Sequence, residues 1–227
     1  MLPLFTMTNN EKPIRILKQL YIEPISACNL HCKMCYGNVI NGRQRRIIEA
    51  NQILEVARQF IAITPPPVTI YWCGTGEVFL HRDFPKIVNR LLAEYGQDTL
   101  AQVIQTNGTV KRLREFDSLQ RLDFNVSIDG LRPFHEWHRG ANTYNRTLDF
   151  CRAAMDGGCK SLWVRALLTR HNIEYLDEFH AELTARIGAR VKVCLSAPFS
   201  NATLREIRTQ AISIKQEDIE DAFALTP

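Results

Sequence analysis

The sequence has no apolar run approaching the roughly 20 residues a membrane-spanning helix needs, and Pro65-Pro66-Pro67 interrupts its most hydrophobic region. No membrane association is therefore expected. It has no internal repeat and no low-complexity segment, so neither a stacked array nor a disordered tract is expected. A strong charge of one sign is missing as well: 28 Lys and Arg against 24 Asp and Glu leave a net +4, which predicts no nucleic-acid partner. The start, Met1-Leu2-Pro3-Leu4-Phe5, is too short for a secretory hydrophobic region and lacks a basic lead. A cytoplasmic protein is expected, with its cysteines used as thiols rather than disulfides. At 227 residues the chain suits one domain with a real core.

What is there is concentrated in Ala27-Cys28-Asn29-Leu30-His31-Cys32-Lys33-Met34-Cys35-Tyr36-Gly37, a C-x3-C-x2-C run directly after a strand-like segment. Three thiolates this close converge on one centre only if a metal or a cluster holds them, and iron–sulfur clusters are the usual home of such runs. A zinc ion would need a fourth ligand at a familiar second spacing, and no further C-x2-C or H-x3-H is present. A zinc site and a simple electron-transfer cluster are the alternatives. The other cysteines are Cys73, Cys151, Cys159 and Cys194. Cys151 falls on the stripe Tyr144, Leu148, Cys151, Met155 and reads as a small buried hydrophobe.

Short β-like runs alternate with helical patterns along the chain, which argues for βαβ units and a parallel sheet. Residues 1–17 read as a polar extension, 18–200 as the core domain and 201–227 as a helical tail. Strands are expected at about 19–25, 68–72, 100–106, 121–128, 161–168 and 190–195. Between them lie a helix with Ile53, Val56, Ala57, Phe60 and Ile61 on one face, and another capped by Asp83 with the stripe Ile87, Val88, Leu91, Leu92. A short helix is expected around 112–116, one capped by Asn142 and closed by Gly157-Gly158, and one capped by Asn172 and stopped by Gly188. Six such units with right-handed crossovers curl into a sheet whose C-terminal strand ends face one way, two short of a closed barrel.

In α/β barrels function sits on the loops at those ends. Strands one to four leave with the cysteines, with Gly74-Thr75-Gly76-Glu77, with Asn107-Gly108 and with Asp129-Gly130. Glycines in the second loop let backbone approach a ligand closely, with the Glu77 carboxylate available to a positive group; a plain βα turn with a solvated Glu77 is the simpler reading. On strand four, Phe124, Val126 and Ile128 share one face and Asn125, Ser127 and Asp129 the other. Polar groups on an inner face need partners, either ligand hydroxyls or bound water.

The cysteine run at the end of a first strand resembles the radical S-adenosylmethionine (SAM) superfamily. The resemblance implies a partial (β/α)6 TIM-like barrel and a [4Fe–4S] cluster on Cys28, Cys32 and Cys35, with SAM on the fourth iron. It also implies reductive cleavage of SAM to a 5′-deoxyadenosyl radical that abstracts hydrogen from a substrate. Thr75, Gly76 and Glu77 match the element that receives the SAM ammonium, and Ser127 and Asp129 the ribose contacts. Thr106 and Asn107 match a Thr-Asn-Gly element, Met34 and Tyr36 the cluster-loop contacts to the adenine, and Leu195 a further adenine neighbour. The family usually has an aromatic residue where this chain has Met34, and often proline where it has Val78.

The stretch from Asp129 to Gly140 resembles a subgroup of peptide- and sulfatase-maturing enzymes and the molybdopterin-precursor synthase; there Arg139 would approach the SAM carboxylate or the substrate. Expected partners are a flavodoxin- or ferredoxin-type electron donor and a peptide, protein or small-molecule substrate, with a nucleoside or heterocyclic precursor as the other option. A non-catalytic scaffold carrying a cluster or metal is the rival. No residue is assigned as acid, base or radical donor. His135 and His138 read as structural or surface groups, and Arg43-Gln44-Arg45-Arg46 as a solvated loop or a hold for an acidic peptide or phosphate. Arg165 shares parity with Trp163 and Leu167, a mixed set that does not choose a face. Peptide-modifying members commonly carry a cysteine-rich C-terminal extension, and this sequence has none.

Overall fold

The computed structural model describes residues 18–35 and 45–196. Six strands, β1 (Gln19–Ile22), β2 (Val68–Trp72), β3 (Leu100–Thr106), β4 (Leu122–Ser127), β5 (Ser161–Leu167) and β6 (Lys192–Ser196), form one parallel sheet in the order of the chain. The register runs Tyr21 beside Tyr71, Tyr71 beside Val103, Val103 beside Asp123 and Asp123 beside Ser161. β1 and β6 do not pair, so the sheet is an open, partial TIM-like barrel, as the count of six predicts.

Helices α1 (Ala50–Ile63), α2 (Phe84–Glu94), α3 (Arg132–Arg139), α4 (Tyr144–Asp156) and α5 (Leu176–Ile187) lie between the strands. Each strand alternates because the sheet has two unlike faces. Val68, Ile70 and Trp72 of β2 and Leu122, Phe124 and Val126 of β4 are buried under the helices, while the intervening residues face the concavity. Between sheet and helices, Trp72, Phe79, Phe84, Phe150 and Phe124 meet edge to face at centroid distances of 5.6–5.7 Å. Cys151 is fully buried on α4, as its stripe predicts.

Some details differ from expectation. β1 stops at Ile22, and β6 starts two residues later than read. Val56 is 51% exposed because the buried stripe of α1 is Ile53, Ala57 and Ile61 alone. Asn142 takes a left-handed φ of 61° and does not cap α4, whose N-cap is Thr143. α3 is an addition: Pro133 at its first turn and Gly140 past its end, at φ 108°, bound eight residues that carry only a thin apolar stripe. The N-terminal extension and the C-terminal tail lie outside the described residues.

α1 and α2 are tied at the surface by Glu94, which accepts from Arg58 Nε at 2.8 Å and from Arg90 Nε at 2.6 Å. Hydrogen bonds from Arg58 and Arg90 hold its carboxyl down at about 2. A depressed folded value stabilises above the unfolded one and loses that contribution as pH falls through about 2. Glu94→Gln is expected to lower the melting temperature by no more than about 3 °C at neutral pH, and by less in high salt, in a calorimetric scan.

Candidate active site

A cleft of about 540 Å³ opens where the strands end, and it collects the cysteine loop, the exits of β2, β3 and β4 and the last residues of β5 and β6. Cys28, Cys32 and Cys35 line it together. The loop is shaped by backbone contacts: Cys35 N–H reaches the Cys32 carbonyl at 3.2 Å, and Leu30 N–H lies 3.5 Å from Cys28 Sγ. Asn107 Nδ2 also lies 3.8 Å from that sulfur and 3.0 Å from Asn29 Oδ1, so the β3 exit braces the loop. Burial pushes the Cys28 thiol up, and pushes Cys32 up to about 11 against the lowering influence of Arg139. Such thiols surrender their protons to a metal rather than to solvent.

The second loop packs against the chain leading to the cysteines. A Cβ on Gly76 would sit 2.1 Å from the Ile25 carbonyl oxygen, so only glycine allows the approach that places Glu77 N–H 2.9 Å from the Ala27 carbonyl. Glu23, at the end of β1, accepts from the Thr75 amide and hydroxyl. The Glu77 side chain is 2% exposed and bound from three sides. Its Oε1 accepts from Thr106 Oγ1 at 2.7 Å and Phe79 N–H at 3.3 Å, and its Oε2 accepts from Asn107 N–H at 2.7 Å. Burial pushes the Glu77 carboxyl up, and these donors oppose it.

Every partner of Glu77 is a donor, so an amide cannot replace it: either orientation of a glutamine sets its NH2 against an N–H or a committed hydroxyl. Glu77→Gln is expected to cost about 2–3 kcal/mol in urea unfolding and to loosen the Asn107 contact to Cys28. A loss below about 0.5 kcal/mol would show that Glu77 braces nothing.

Asp129 is the hub of the third group. It is 1% exposed, and its Oδ2 accepts from His138 Nδ1 at 2.7 Å and Arg139 Nε at 2.5 Å. Its Oδ1 accepts from Leu167 N–H at 3.0 Å. Burial alone would raise the Asp129 carboxyl, but the Arg139 charge and the His138 hydrogen bond hold it far below the usual carboxylate range. With Nδ1 donating, His138 presents a bare Nε2 that accepts from Met34 N–H at 3.3 Å, while the His138 carbonyl accepts from Lys33 N–H at 2.9 Å. The two residues between Cys32 and Cys35 are thus docked on α3. His135 is buried beside them with Nδ1 accepting from Asp129 N–H, and burial holds it down at about 3.

The cleft therefore brings together Met34, Thr75, Gly76, Glu77, Thr106, Asn107, Ser127, Asp129 and Arg139. Leu195 is corrected: it pairs in register with Ala166, whose side chain is buried under the helices, so it points away from the cleft and is 45% exposed. Leu167 and Ser196 line the cleft in its place. Tyr36, Arg43 and Gln44 lie outside the described residues. Arg165 proves to face inward, its Nη2 3.3 Å from Ser196 Oγ. His138, Gln105 and Cys73 also line the cleft; alternation along β3 would have given Gln105, which shares parity with Asn107. Asn172 stands at the N-cap of a short 3-10 turn, Ile173–Tyr175, that leads into α5, but its side chain makes no cap hydrogen bond and instead donates to the Leu167 carbonyl at 2.7 Å and to that of Asp129, joining the β4 and β5 exits.

The donor set fits a cluster held at three corners. Three thiols share one rim, an amide and an Asn side chain point at sulfur, a guanidinium lies near Cys32, and open cavity remains beyond. Among the described residues no three His, Cys, Asp or Glu side chains are drawn together for a single metal ion. The same residues contain no helix long and apolar enough to cross a membrane.

A family model described as the Radical SAM superfamily matches residues 22–183. The chain is 28% identical over 170 residues to a GTP 3′,8-cyclase of Xanthomonas campestris pv. campestris, covering 69% of this chain and 47% of that one. It is 24% identical over 176 residues to a mycofactocin maturase of Mycolicibacterium smegmatis, covering 76% and 43%. Among solved structures, anSMEcpe with bound AdoMet and a Cp18Cys peptide superposes with a TM-score of 0.65 at 16% identity, over 77% of this chain and 50% of that one. The chain spans about half the length of the curated relatives it matches.

Proposed function

Because the chain belongs to the radical SAM superfamily, whose enzymes use a [4Fe–4S] cluster and SAM, we propose that it cleaves SAM reductively to start radical chemistry on a substrate. Cys28, Cys32 and Cys35 would hold the cluster. When bound, cluster and SAM supply a 5′-deoxyadenosyl radical able to abstract hydrogen. The chain's own residues do the rest. The loop docked on His138 fixes where Cys32 and Cys35 stand. Gly74–Glu77 and Thr106-Asn107, which line the cleft, would border the methionine end of SAM, and Ser127 and Asp129, which also line it, would border its ribose. Arg139, paired to Asp129, sets positive charge beside Cys32 and offers a counter-charge to a carboxylate. Thr75, Met34 and Arg165 narrow the cleft against water.

For the substrate we favour a peptide or protein side chain. The Asp129–Gly140 stretch resembles that of peptide-maturing enzymes, and one structural neighbour carries a peptide. A nucleotide precursor is the second reading, favoured by the relative named for GTP. The observation that carries the proposal is the convergence of three thiols on a cleft walled by the exits of β2, β3 and β4.

The test is anaerobic reconstitution with iron and sulfide, reduction with dithionite, addition of SAM and chromatography for 5′-deoxyadenosine. Its appearance supports cleavage. Iron uptake without deoxyadenosine would leave a cluster-carrying scaffold and end the catalytic reading.

A further inference from the structure

Below the cleft, the concave face of the sheet carries a second cavity of about 550 Å³ among the described residues. Tyr71, Val103 and Asn125 line it two residues before Cys73, Gln105 and Ser127 of the cleft, which sets it about 7 Å lower along the same strands. A closed barrel fills this level with bulky side chains. Here β2 and β3 give it Thr69 and Ala101, and Arg165 lines both spaces, so the two are joined.

Its walls are aromatic. Tyr21 and Tyr71 stack at 4.7 Å with their rings 9° from parallel, and three strands away Trp163 stands beside Asn125 in register. Tyr21 is 62% exposed and Trp163 36%, although rings of this size ordinarily bury most of their area. The polar groups between the walls have capacity left over. The Asn125 side chain makes no hydrogen bond among the described residues, and Arg165 has Ser196 Oγ at 3.3 Å but no carboxylate within ion-pair distance among them. Lower down, Asp123 accepts from Ser161 Oγ at 2.6 Å and lies 3.7 Å from Lys160 Nζ, and a carboxylate with those two partners still has lone pairs to offer.

These groups together suit a flat ring with a polar edge. The walls supply stacking, Asn125 and Asp123 can accept from a phenol hydroxyl or an indole N–H, and Arg165 can donate to a carbonyl at the level of the cleft. A nucleotide suits them less well. Its phosphates would need several free cations, whereas Lys160 faces Asp123, Lys192 lies 4.8 Å over the Trp163 ring, and the Asp123 carboxylate repels like charge. Resting on the reading that the substrate is a peptide, we propose that this cavity seats the side chain of a tyrosine or tryptophan residue of that peptide, with Arg165 holding the main chain beside the cleft. Because β1 and β6 do not pair, the ring can enter from the open side of the sheet, where Tyr21 is exposed.

The probe is the capped tripeptide acetyl-Gly-Tyr-Gly-amide, with acetyl-Gly-Leu-Gly-amide as the aliphatic control. Each is titrated into the full chain and followed by saturation-transfer NMR, which reads weak binding and needs no cluster. The Tyr peptide is expected to bind at least about fivefold tighter than the Leu peptide. Val103→Trp, which fills the cavity, should weaken the Tyr peptide at least about tenfold and leave the Leu peptide unchanged. Asn125→Leu, which keeps the volume and removes the amide, should weaken it about fivefold. If Val103→Trp fails to fold, Trp163→Ala, at a partly exposed ring, takes its place with the same expectation.

Equal binding of the two peptides overturns the proposal, and so does Tyr-peptide binding that none of these substitutions weakens. Guanosine monophosphate that binds, is excluded by the filled cavity, and has no Tyr-peptide counterpart would make the cavity a nucleotide seat and overturn the peptide assignment. The two proposals fail separately. If no deoxyadenosine forms and the Tyr peptide binds as described, SAM cleavage falls and the ring seat stands; if deoxyadenosine forms and the Tyr peptide does not bind, the ring seat alone falls.

Discussion

Cys32→Ala is expected to yield a folded protein that retains less than about a tenth of the wild-type cluster absorbance after reconstitution and forms no detectable 5′-deoxyadenosine. Cys151→Ala should keep both. The contrast follows from where each thiol stands. Cys32 lines the cleft beside Cys28 and Cys35, and the charge of Arg139 is close enough to oppose the rise that burial imposes on its thiol. Removing it takes away one of three corners, and two thiolates do not hold a cube against loss of iron. Cys151 is fully buried on α4 within the apolar core, away from the cleft, where burial pushes its thiol up. Its truncation removes one sulfur's worth of packing, about 1–2 kcal/mol in unfolding, and touches no cleft residue. Deoxyadenosine formation by Cys32→Ala would refute the assignment of the thiols. Loss of the cluster in Cys151→Ala would mean that the core, not the loop, governs assembly.

The elements legible in the sequence are those where one physical signal dominates. β2 and β3 fall at the residues predicted, because each is a short β-forming run set off by proline or glycine; β2 buries Val68, Ile70 and Trp72 in alternation, whereas β3 buries Gln102 and Thr106 along with Leu100 and Ile104. The polar face of β4 was readable for the same reason: the rule of two needs no tertiary knowledge, and Ser127 and Asp129 do face the cleft. α3 was missed because its eight residues present mostly charged and aromatic side chains, and its caps at Pro133 and Gly140 also read as a loop. With it went the role of His138. Its site is made by a turn of helix that brings position 138 against position 34, a contact separated by 104 residues that no local pattern announces.

Leu195 failed for a simpler reason: it rests on the resemblance alone, with no face of the edge strand worked out behind it. In the register with β5, Cys194 and Ser196 face inward beside Arg165 and Leu167, and Leu195 turns out. Glu77 illustrates the limit differently. Its position at the rim was evident from the glycines before it, but that its oxygens are engaged by Thr106, Asn107 and Phe79 depends on three loops meeting. The carboxylate is a brace between the β2 and β3 exits as much as a rim group.

Asp129→Asn is expected to be the most damaging single-atom change in the described chain. The carboxylate is 1% exposed, and its two oxygens serve His138, Arg139 and the Leu167 amide at once. All of these partners donate, so an amide NH2 at either oxygen meets another donor. The larger effect is electrostatic. The Arg139 side chain is only 16% exposed, and without the carboxylate its guanidinium stands nearly buried with no ion-pair partner in contact. Breaking one side of such a pair costs about 3–5 kcal/mol, far more than the pair contributes relative to an apolar substitute.

Local consequences would follow through His138. Losing the acceptor at Nδ1 releases the tautomer that leaves Nε2 bare, and with it the hydrogen bond from Met34 N–H that fixes the turn between Cys32 and Cys35. Two measurements separate the effects: urea unfolding of the chain before reconstitution reads the buried charge, and the rate of iron release to a chelator after reconstitution reads the loop. Release at least about tenfold faster than wild type is expected, together with the loss in stability. The double variant Asp129→Asn/Arg139→Met removes both charges and is expected to recover about half of the unfolding loss or more, while the rapid iron release persists, because the neutral pair restores the fold but not the acceptor that orients His138. If the double variant recovered neither quantity, the ion pair would not be the source of the cost. If Asp129→Asn alone left iron release unchanged, His138 would hold the cysteine loop without help from Asp129.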